Sequence, residues 1–421
     1  MIHLKNARTA AGEPIEIMID GGRIAQMGRE LQGGADTVLD CKGLTALPGL
    51  IDLHVHFRDP GFEYKEDIAS GTRAAARGGY TAVCCMANTK PVNDNAAVTK
   101  YIVDRAKQVG VVRVYPYGAV TRGLEGKELA EMGDMQSAGI VALSDDGKPV
   151  EAAGMLRTAM RYALAFDLPI AAHCEDLSLV GDGSMNEGDT STLLGIKGIP
   201  SSAEETMTGR DCALALETGA RLHICHVSTR GSVAIVRHYK ALGAKVTCET
   251  APHYIAGTDA LCEGYGGDAR VNPPLRSEDD RQAVIEGLLD GTIDCIATDH
   301  APHHRDEKEV EFALAASGIS GLETAIALCN THLVKTGIMS LERLVGLMSA
   351  RPAGIFALPG GSIARGQIAD ITLFDPNEEW SIDSAKFASK GKNTPFNGQS
   401  VTGRIKATFV AGECVFSEVE Q

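Results

Sequence analysis

The chain has 421 residues, 44% of them hydrophobic, and carries 40 basic against 55 acidic side chains for a formal net charge of -15. That length exceeds what one ordinary core fills, yet α/β barrels pass the limit as single domains, so one barrel plus a smaller unit fits. The negative balance argues against a nucleic acid or an anionic membrane as partner, while a local cluster of arginine, histidine and metal can still take a small acidic substrate.

Residues 1–47 alternate like short antiparallel strands: Ile2-His-Leu-Lys-Asn, Ile15-Glu-Ile-Met-Ile, a turn at Asp20-Gly-Gly, then Arg23-Ile-Ala. The opening lacks the basic and apolar regions of a secretory signal, and no apolar run approaches membrane-spanning length. Eleven cysteines are scattered without a Cys-x-x-Cys pair, several (Cys84, Cys85, Cys225, Cys248, Cys295) inside apolar runs where a thiol behaves as a small hydrophobe. A reducing compartment and a cytoplasmic location are therefore expected.

Short apolar strands then alternate with helical stretches. The strands read 50–56, 81–86, 112–117, 139–144, 169–173, 221–226, 245–249 and 294–299, and helical candidates include 97–108, 156–166, 233–242 and 281–289. Eight such units predict a (β/α)8 TIM-type barrel, whose strand carboxyl ends carry the chemistry. The end of the chain returns to strand character, with Ile368-Ala-Asp-Ile-Thr-Leu-Phe, Ile405-Lys-Ala-Thr-Phe-Val, a turn at Ala411-Gly412 and Cys414-Val-Phe. Neither terminal piece has enough strands to stand alone. Residues 1–47 and 358–421 are thus expected to form one discontinuous β-sandwich domain, with 48–357 as the barrel.

The organising stretch is His54-Val-His56-Phe-Arg58. On a regular strand these three polar side chains share one face while Leu53, Val55 and Phe57 take the other. Two neutral imidazoles so spaced suit Zn²⁺, and the planar arginine fork suits a carboxylate beside it. Other expected strands end in Asn88, Asp145-Asp146, His173, His226 and Asp299-His300, with His303 close behind. Burying so many polar groups costs too much unless a cation takes them up. Two ions fit: one on His54 and His56 with Asp299, one on His173 and His226, bridged by an oxygen ligand for which Asp146 is the candidate.

Taken together, His54-Val-His56-Phe-Arg58, Met86-Ala-Asn88-Thr, Asp145-Asp146-Gly, His173-Cys-Glu, His226-Val-Ser, Asn272-Pro-Pro-Leu-Arg and Thr298-Asp299-His-Ala-Pro-His303 resemble the class I dihydroorotases of the amidohydrolase superfamily. The resemblance covers nearly the whole chain. It implies interconversion of N-carbamoyl-L-aspartate and L-dihydroorotate in pyrimidine synthesis. It further implies one or two Zn²⁺ ions, two favoured, on His54, His56, Asp146, His173, His226 and Asp299, with Asp299 also carrying the proton. Arg58, Asn88, Asn272 and His303 would hold the substrate, with His56 beside them. A Phe-Gly pair that touches substrate through its backbone in relatives corresponds to Ser317-Gly318 in this chain. A homodimer is expected, and an aspartate transcarbamoylase is a further partner to consider.

Two departures stand out. Many relatives bridge their metals with a carboxylated lysine, but the fourth strand has none and Lys148 lies beyond its end. The usual Met-Pro-Asn-Thr reads Met86-Ala87-Asn88-Thr89. A hydantoinase or allantoinase is the nearest rival, opposed by Arg58; a non-catalytic dihydroorotase-like partner of aspartate transcarbamoylase is the second, opposed by the complete ligand set. Asp145 reads as a turn residue, His253 and His300 read as structural, and the charged stretch 304–316 beside His303 reads as a lid.

Overall fold

The computed structural model describes residues 1–419. Alternating residues at the start give β1 (Ile2–Arg8), β2 (Pro14–Asp20), β3 (Arg23–Gly28), β4 (Thr37–Asp40) and β5 (Thr45–Pro48). Their sheet is completed from the far end of the chain by three strands introduced below.

The barrel strands are β6 (Leu50–Val55), β7 (Tyr80–Cys85), β8 (Arg113–Gly118), β9 (Ala142–Leu143) and β10 (Ile170–Ala172). A two-stranded parallel excursion, β11 (Met185–Asn186) with β12 (Gly198–Ile199), interrupts the series. The barrel resumes with β13 (Leu222–Ile224), β14 (Val246–Thr250) and β15 (Cys295–Ile296). All eight pair in parallel, in sequence order. The ring closes where Val55 bridges His300 and His56 N–H donates to His300 O at 2.8 Å. Small and medium side chains, with one large one in Tyr117, fill the interior, among them Ile51, Leu53, Ala82, Cys84, Ala142, Ala171 and Ala297. Helices 96–109, 153–163, 230–241 and 278–290 occupy the four stretches expected to be helical, with ends that differ from the expected ones by a few residues.

Several strands stop short of their expected ends. The residues just beyond them leave the ladder because their backbones turn: His226 has φ 35 and Asp299 φ 48, left-handed values that a regular ladder does not accommodate. The row His54, His56, Arg58 is likewise not a regular strand. Pairing with β7 shifts register between Asp52 and Val55, Leu53 joins the barrel interior while Val55 and Phe57 face the helices, and Arg58 has φ 61. The cause is local: Asp52 Oδ1 accepts both His54 N–H and Thr298 N–H, each at 3.0 Å, pulling the backbone out of its ladder.

After the last barrel helices, β16 (Ile371–Ser381), β17 (Ser400–Val410) and β18 (Glu413–Ser417) finish the terminal sheet. It is one continuous eight-stranded sheet, ordered β18-β17-β16-β5-β1-β2-β3 with β4 also on β1. Its two limbs share one apolar core, in which Leu4, Ile17, Ile19 and Ile24 meet Ile371, Leu373, Ala407 and Phe409. Between β16 and β17 the chain leaves this sheet at Ile382 and returns at Gln399, and its excursion rests on the barrel's carboxyl face. Among the described residues no helix is long and apolar enough to cross a membrane.

Candidate active site

At the carboxyl end of the barrel the strand termini bring six polar side chains into one buried pocket. His54 Nε2 stands 3.5 Å from both Asp146 Oδ1 and Asp299 Oδ1. His56 Nε2 is 3.2 Å from Asp299 Oδ1 and 3.5 Å from Asp146 Oδ2. On the other side His173 Nδ1 and His226 Nε2 lie 3.5 and 3.4 Å from Asp146 Oδ1. Asp146 thus faces both histidine pairs. Ligand atoms of His54, Asp146 and His226, and of His54, His56 and Asp299, form two triads within 4.8 Å of one another.

Two features say that this pocket is built for cations. His54 Nε2 and Asp146 Oδ1 are buried with no hydrogen-bond partner, a costly state that a metal ion relieves. His173 Nδ1 and His226 Nε2 face each other at 2.9 Å, an approach that needs a proton or cation between the two nitrogens. The backbone turns at Arg58, His226 and Asp299 store roughly 1 kcal/mol or more each, which the surrounding fold holds in place.

The electrostatics agree. Burial alone would drive the carboxyls toward their protonated form, but the imidazoles of His54, His173 and His226 hold Asp146 well below its usual range. Asp299 is likewise lowered against burial by His54 and His56. Reciprocally, burial opposes charge on His54 and His173, yet the carboxylates raise both, His173 to about 10. The pocket therefore draws positive charge, which protons or divalent ions can supply in competition.

Carboxylates behind the ring orient it. His54 Nδ1 donates to Glu249 Oε1 at 2.7 Å, fixing the tautomer that leaves Nε2 bare, and the other oxygen of Glu249 takes His223 Nε2 at 3.2 Å. Glu175 Oε2 is 3.2 Å from His173 Nε2, which turns Nδ1 toward Asp146. Asn88 Oδ1 meets His56 Nδ1 at 3.0 Å, so its amide braces an imidazole of the pocket.

Beside the pocket lies a recess suited to an acid. Arg58 is half-buried, its Nε lacks a partner, and its Nη2 approaches His303 Nε2 at 3.4 Å. His303 donates from Nε2 to Ser317 O at 2.9 Å and receives Lys65 Nζ on Nδ1 at 3.3 Å. Burial, with Arg58 and Lys65 alongside, keeps that imidazole neutral well below its ordinary pKa. Asn272 Oδ1 is buried without a partner, while Gly318 has φ 151 and its missing Cβ lets Ala301 O approach.

The remaining residues fall outside the ring. Asp145 is fully engaged by Val120 N–H, Thr121 N–H and the Thr121 hydroxyl, and burial raises it to about 6. His300 is bonded to Glu66, and His253 lies edge-on to Tyr254 with ring centroids 4.3 Å apart. The charged stretch after His303 is tethered rather than loose: buried Lys308 donates to the carbonyls of Arg270, Ala316 and Gly318, and Lys65 pairs with Glu307 at 2.8 Å. Glu249 and Lys65 belong to no motif that the sequence singles out, and Glu175 enters only as the last residue of His173-Cys-Glu, with no role of its own. Glu249 closes an expected strand and Glu175 follows His173 by two, so both had a positional signal; Lys65 had none.

Residues 43–232 match the dihydro-orotase-like family. The dihydroorotase of Syntrophotalea carbinolica is 53% identical over 404 residues, spanning 96% of this chain and 95% of that one. That of Acetivibrio thermocellus is 49% identical over 416 residues, spanning 99% and 98%. Among solved structures, the L-hydantoinase (dihydropyrimidinase) of Arthrobacter aurescens superposes with a TM-score of 0.90 at 27% identity, covering 100% of this chain and 96% of its own. The dihydropyrimidinase of Brevibacillus agri, at 23% identity and a TM-score of 0.85, shares the fold.

Proposed function

The chain belongs to the dihydroorotase family, and from that premise we propose that its pocket interconverts N-carbamoyl-L-aspartate and L-dihydroorotate by closing and opening a ring amide. The observation that carries this reading is a half-buried arginine, Arg58, whose buried Nε lacks a partner, beside a carboxylate–imidazole ring in which His54 Nε2 and Asp146 Oδ1 also lack partners. A hydrolytic centre and an acid receptor on one short stretch match a cyclic amide that bears a carboxylate.

Zinc fits the donor set of nitrogen and carboxylate oxygen. His54, His56 and Asp299 would hold one ion and His173 and His226 a second, with Asp146, which faces both histidine pairs, available to either; two ions per chain are favoured over one. When bound, such ions supply an acidified water and an electrophile for the amide carbonyl.

The chain's own residues do the rest. Asp299, ionised in its imidazole surroundings, takes the proton of the attacking water and passes it to the ring nitrogen as the amide bond breaks. In the ring-closing direction it removes that proton from the ureido nitrogen. Arg58 holds the substrate carboxylate with its planar fork, which fixes the distance from carboxylate to reacting carbon. Asn88, Asn272 and His303 bring polar groups to the same mouth, and the backbone of Ser317 and Gly318 closes its side. The neutral His303 avoids setting a third cation beside Arg58 and Lys65 while keeping hydrogen-bonding nitrogens in the recess.

Metal content per chain should be measured alongside parallel assays with dihydroorotate and hydantoin. Two zinc equivalents and turnover of dihydroorotate alone are expected. Hydantoin turnover without dihydroorotate turnover would hand the pocket to the hydantoinase reading, which the likeness to the Arthrobacter enzyme makes the appropriate control.

A further inference from the structure

The excursion between β16 and β17 is clipped at its base by Ile382 N–H to Gln399 O at 2.9 Å and Gly398 N–H to Ile382 O at 2.7 Å. At its tip one buried side chain, Asn393, makes four hydrogen bonds. Oδ1 accepts from His303 N–H and from the Ser320 hydroxyl, both at 3.0 Å. Nδ2 donates to Ala301 O at 3.1 Å and Gly318 O at 2.9 Å. The amide orientation is fixed by these partners, two donors on one side and two carbonyls on the other.

These four bonds fall on two stretches that run separately, 301–303 and 318–320. The first presents the His303 imidazole and the second the Ser317-Gly318 turn. Asn393 O also accepts Ser320 N–H at 2.7 Å, and Ser320 Oγ lies 3.0 Å from Gly391 O as well as from Asn393 Oδ1, so its single proton is shared between the two acceptors. The approach is close enough that a Cβ on Gly391 would lie 2.5 Å from Pro302 Cβ. The two loops also touch directly, through Ala301 N–H to Ile319 O and through His303 Nε2 to Ser317 O, both at 2.9 Å, and the partner of the His303 backbone amide is Asn393.

We propose that Asn393 is a positioning residue for the substrate: it locks the His303 loop to the Ser317-Gly318 turn, so that the excursion of the terminal sheet completes the recess around Arg58. Asn393 touches neither the reacting atoms nor the histidine ring. It acts through His303 and the Gly318 backbone, which contact substrate in ground and transition states alike, so its loss weakens binding more than chemistry.

The inference rests on the dihydroorotase reading, and its test separates the two. Asn393→Ala and the isosteric Asn393→Asp are to be compared with the parent zinc-loaded protein for KM and kcat on dihydroorotate, metal content, and hydrogen exchange of the substrate-free chain. The expected result for Asn393→Ala is faster exchange of the His303 amide, KM raised roughly tenfold, kcat within about threefold, and unchanged metal content. Asn393→Asp should keep the His303 amide protected but set an oxygen against the Ala301 and Gly318 carbonyls, and should also raise KM. A KM within about twofold of the parent in both variants, or unchanged His303 exchange in Asn393→Ala, would overturn the proposal. If the parent itself fails to turn over dihydroorotate, the functional reading falls, and the clamp is judged by exchange alone: a loosened His303 amide supports it and an unchanged one refutes it.

Discussion

Two buried carboxylate–imidazole clusters sit at the same end of the barrel, one around Asp146 and one around Glu66, and they are built to opposite specifications. In the second, Glu66 receives His300 Nε2 at 3.3 Å, the hydroxyls of Ser70 and Ser389, and the N–H groups of Asp67 and Lys390. His300 Nδ1 takes Gly321 N–H at 3.2 Å, so each nitrogen of that ring is engaged. In the first, His54 Nε2 and Asp146 Oδ1 have no hydrogen-bond partner, and the chain accepts left-handed turns at His226 and Asp299 to bring the ring together. Burial and residue type do not distinguish the two clusters. The deciding quantity is unmet hydrogen-bonding capacity: a saturated cluster is scaffold, and an unsaturated one held under strain is kept for a ligand.

The sharpest way to break that contrast is to disable the proton carrier. Asp299→Asn keeps the shape but removes the basic oxygen, and turnover should fall about 10³-fold or more, with an unchanged far-ultraviolet circular dichroism spectrum. Retained turnover would remove Asp299 from the chemistry. A smaller effect is expected one layer out. Glu249→Gln leaves the ring intact but weakens the acceptor for His54 Nδ1, and zinc affinity, read by chelator competition on the apo-protein, should drop about 10–100-fold. An unaltered affinity would mean that Glu249 merely fills the barrel.

The same contrast explains what could be read from the chain. The barrel was legible because its eight apolar runs and intervening helical stretches have distinct periods, and the polar residues stood at the ends of those runs. The strand limits were less so: Asp52 draws in the amides of His54 and Thr298, which breaks the alternation that a regular strand would give His54, His56 and Arg58. Glu249 looked like an ordinary strand end, since its partner His54 lies 195 residues earlier. Asn393 was out of reach for a similar reason. It sits in an aperiodic segment, 90 residues from His303, and only the return of the terminal sheet over the barrel brings the two together.

The smallest expected effect is the one that tests the scaffold half of the comparison. Glu66→Gln replaces a buried carboxylate by an amide that cannot accept at both positions, so it should cost about 1–3 kcal/mol of stability while leaving metal content and KM unchanged. Burial works to raise the Glu66 pKa, but His300 and the two hydroxyls outweigh it and bring it below the ordinary 4.5. A carboxyl lowered on folding contributes stability that is fully present above its unfolded value and is lost as pH falls through its folded one. The parent should therefore lose this increment only below pH 4.5, and the gap between parent and Glu66→Gln, followed by urea unfolding across acid pH, should narrow there. A gap that stays constant, or a variant that loses zinc, would show that the Glu66 cluster is not the self-contained scaffold that its saturated hydrogen bonds describe.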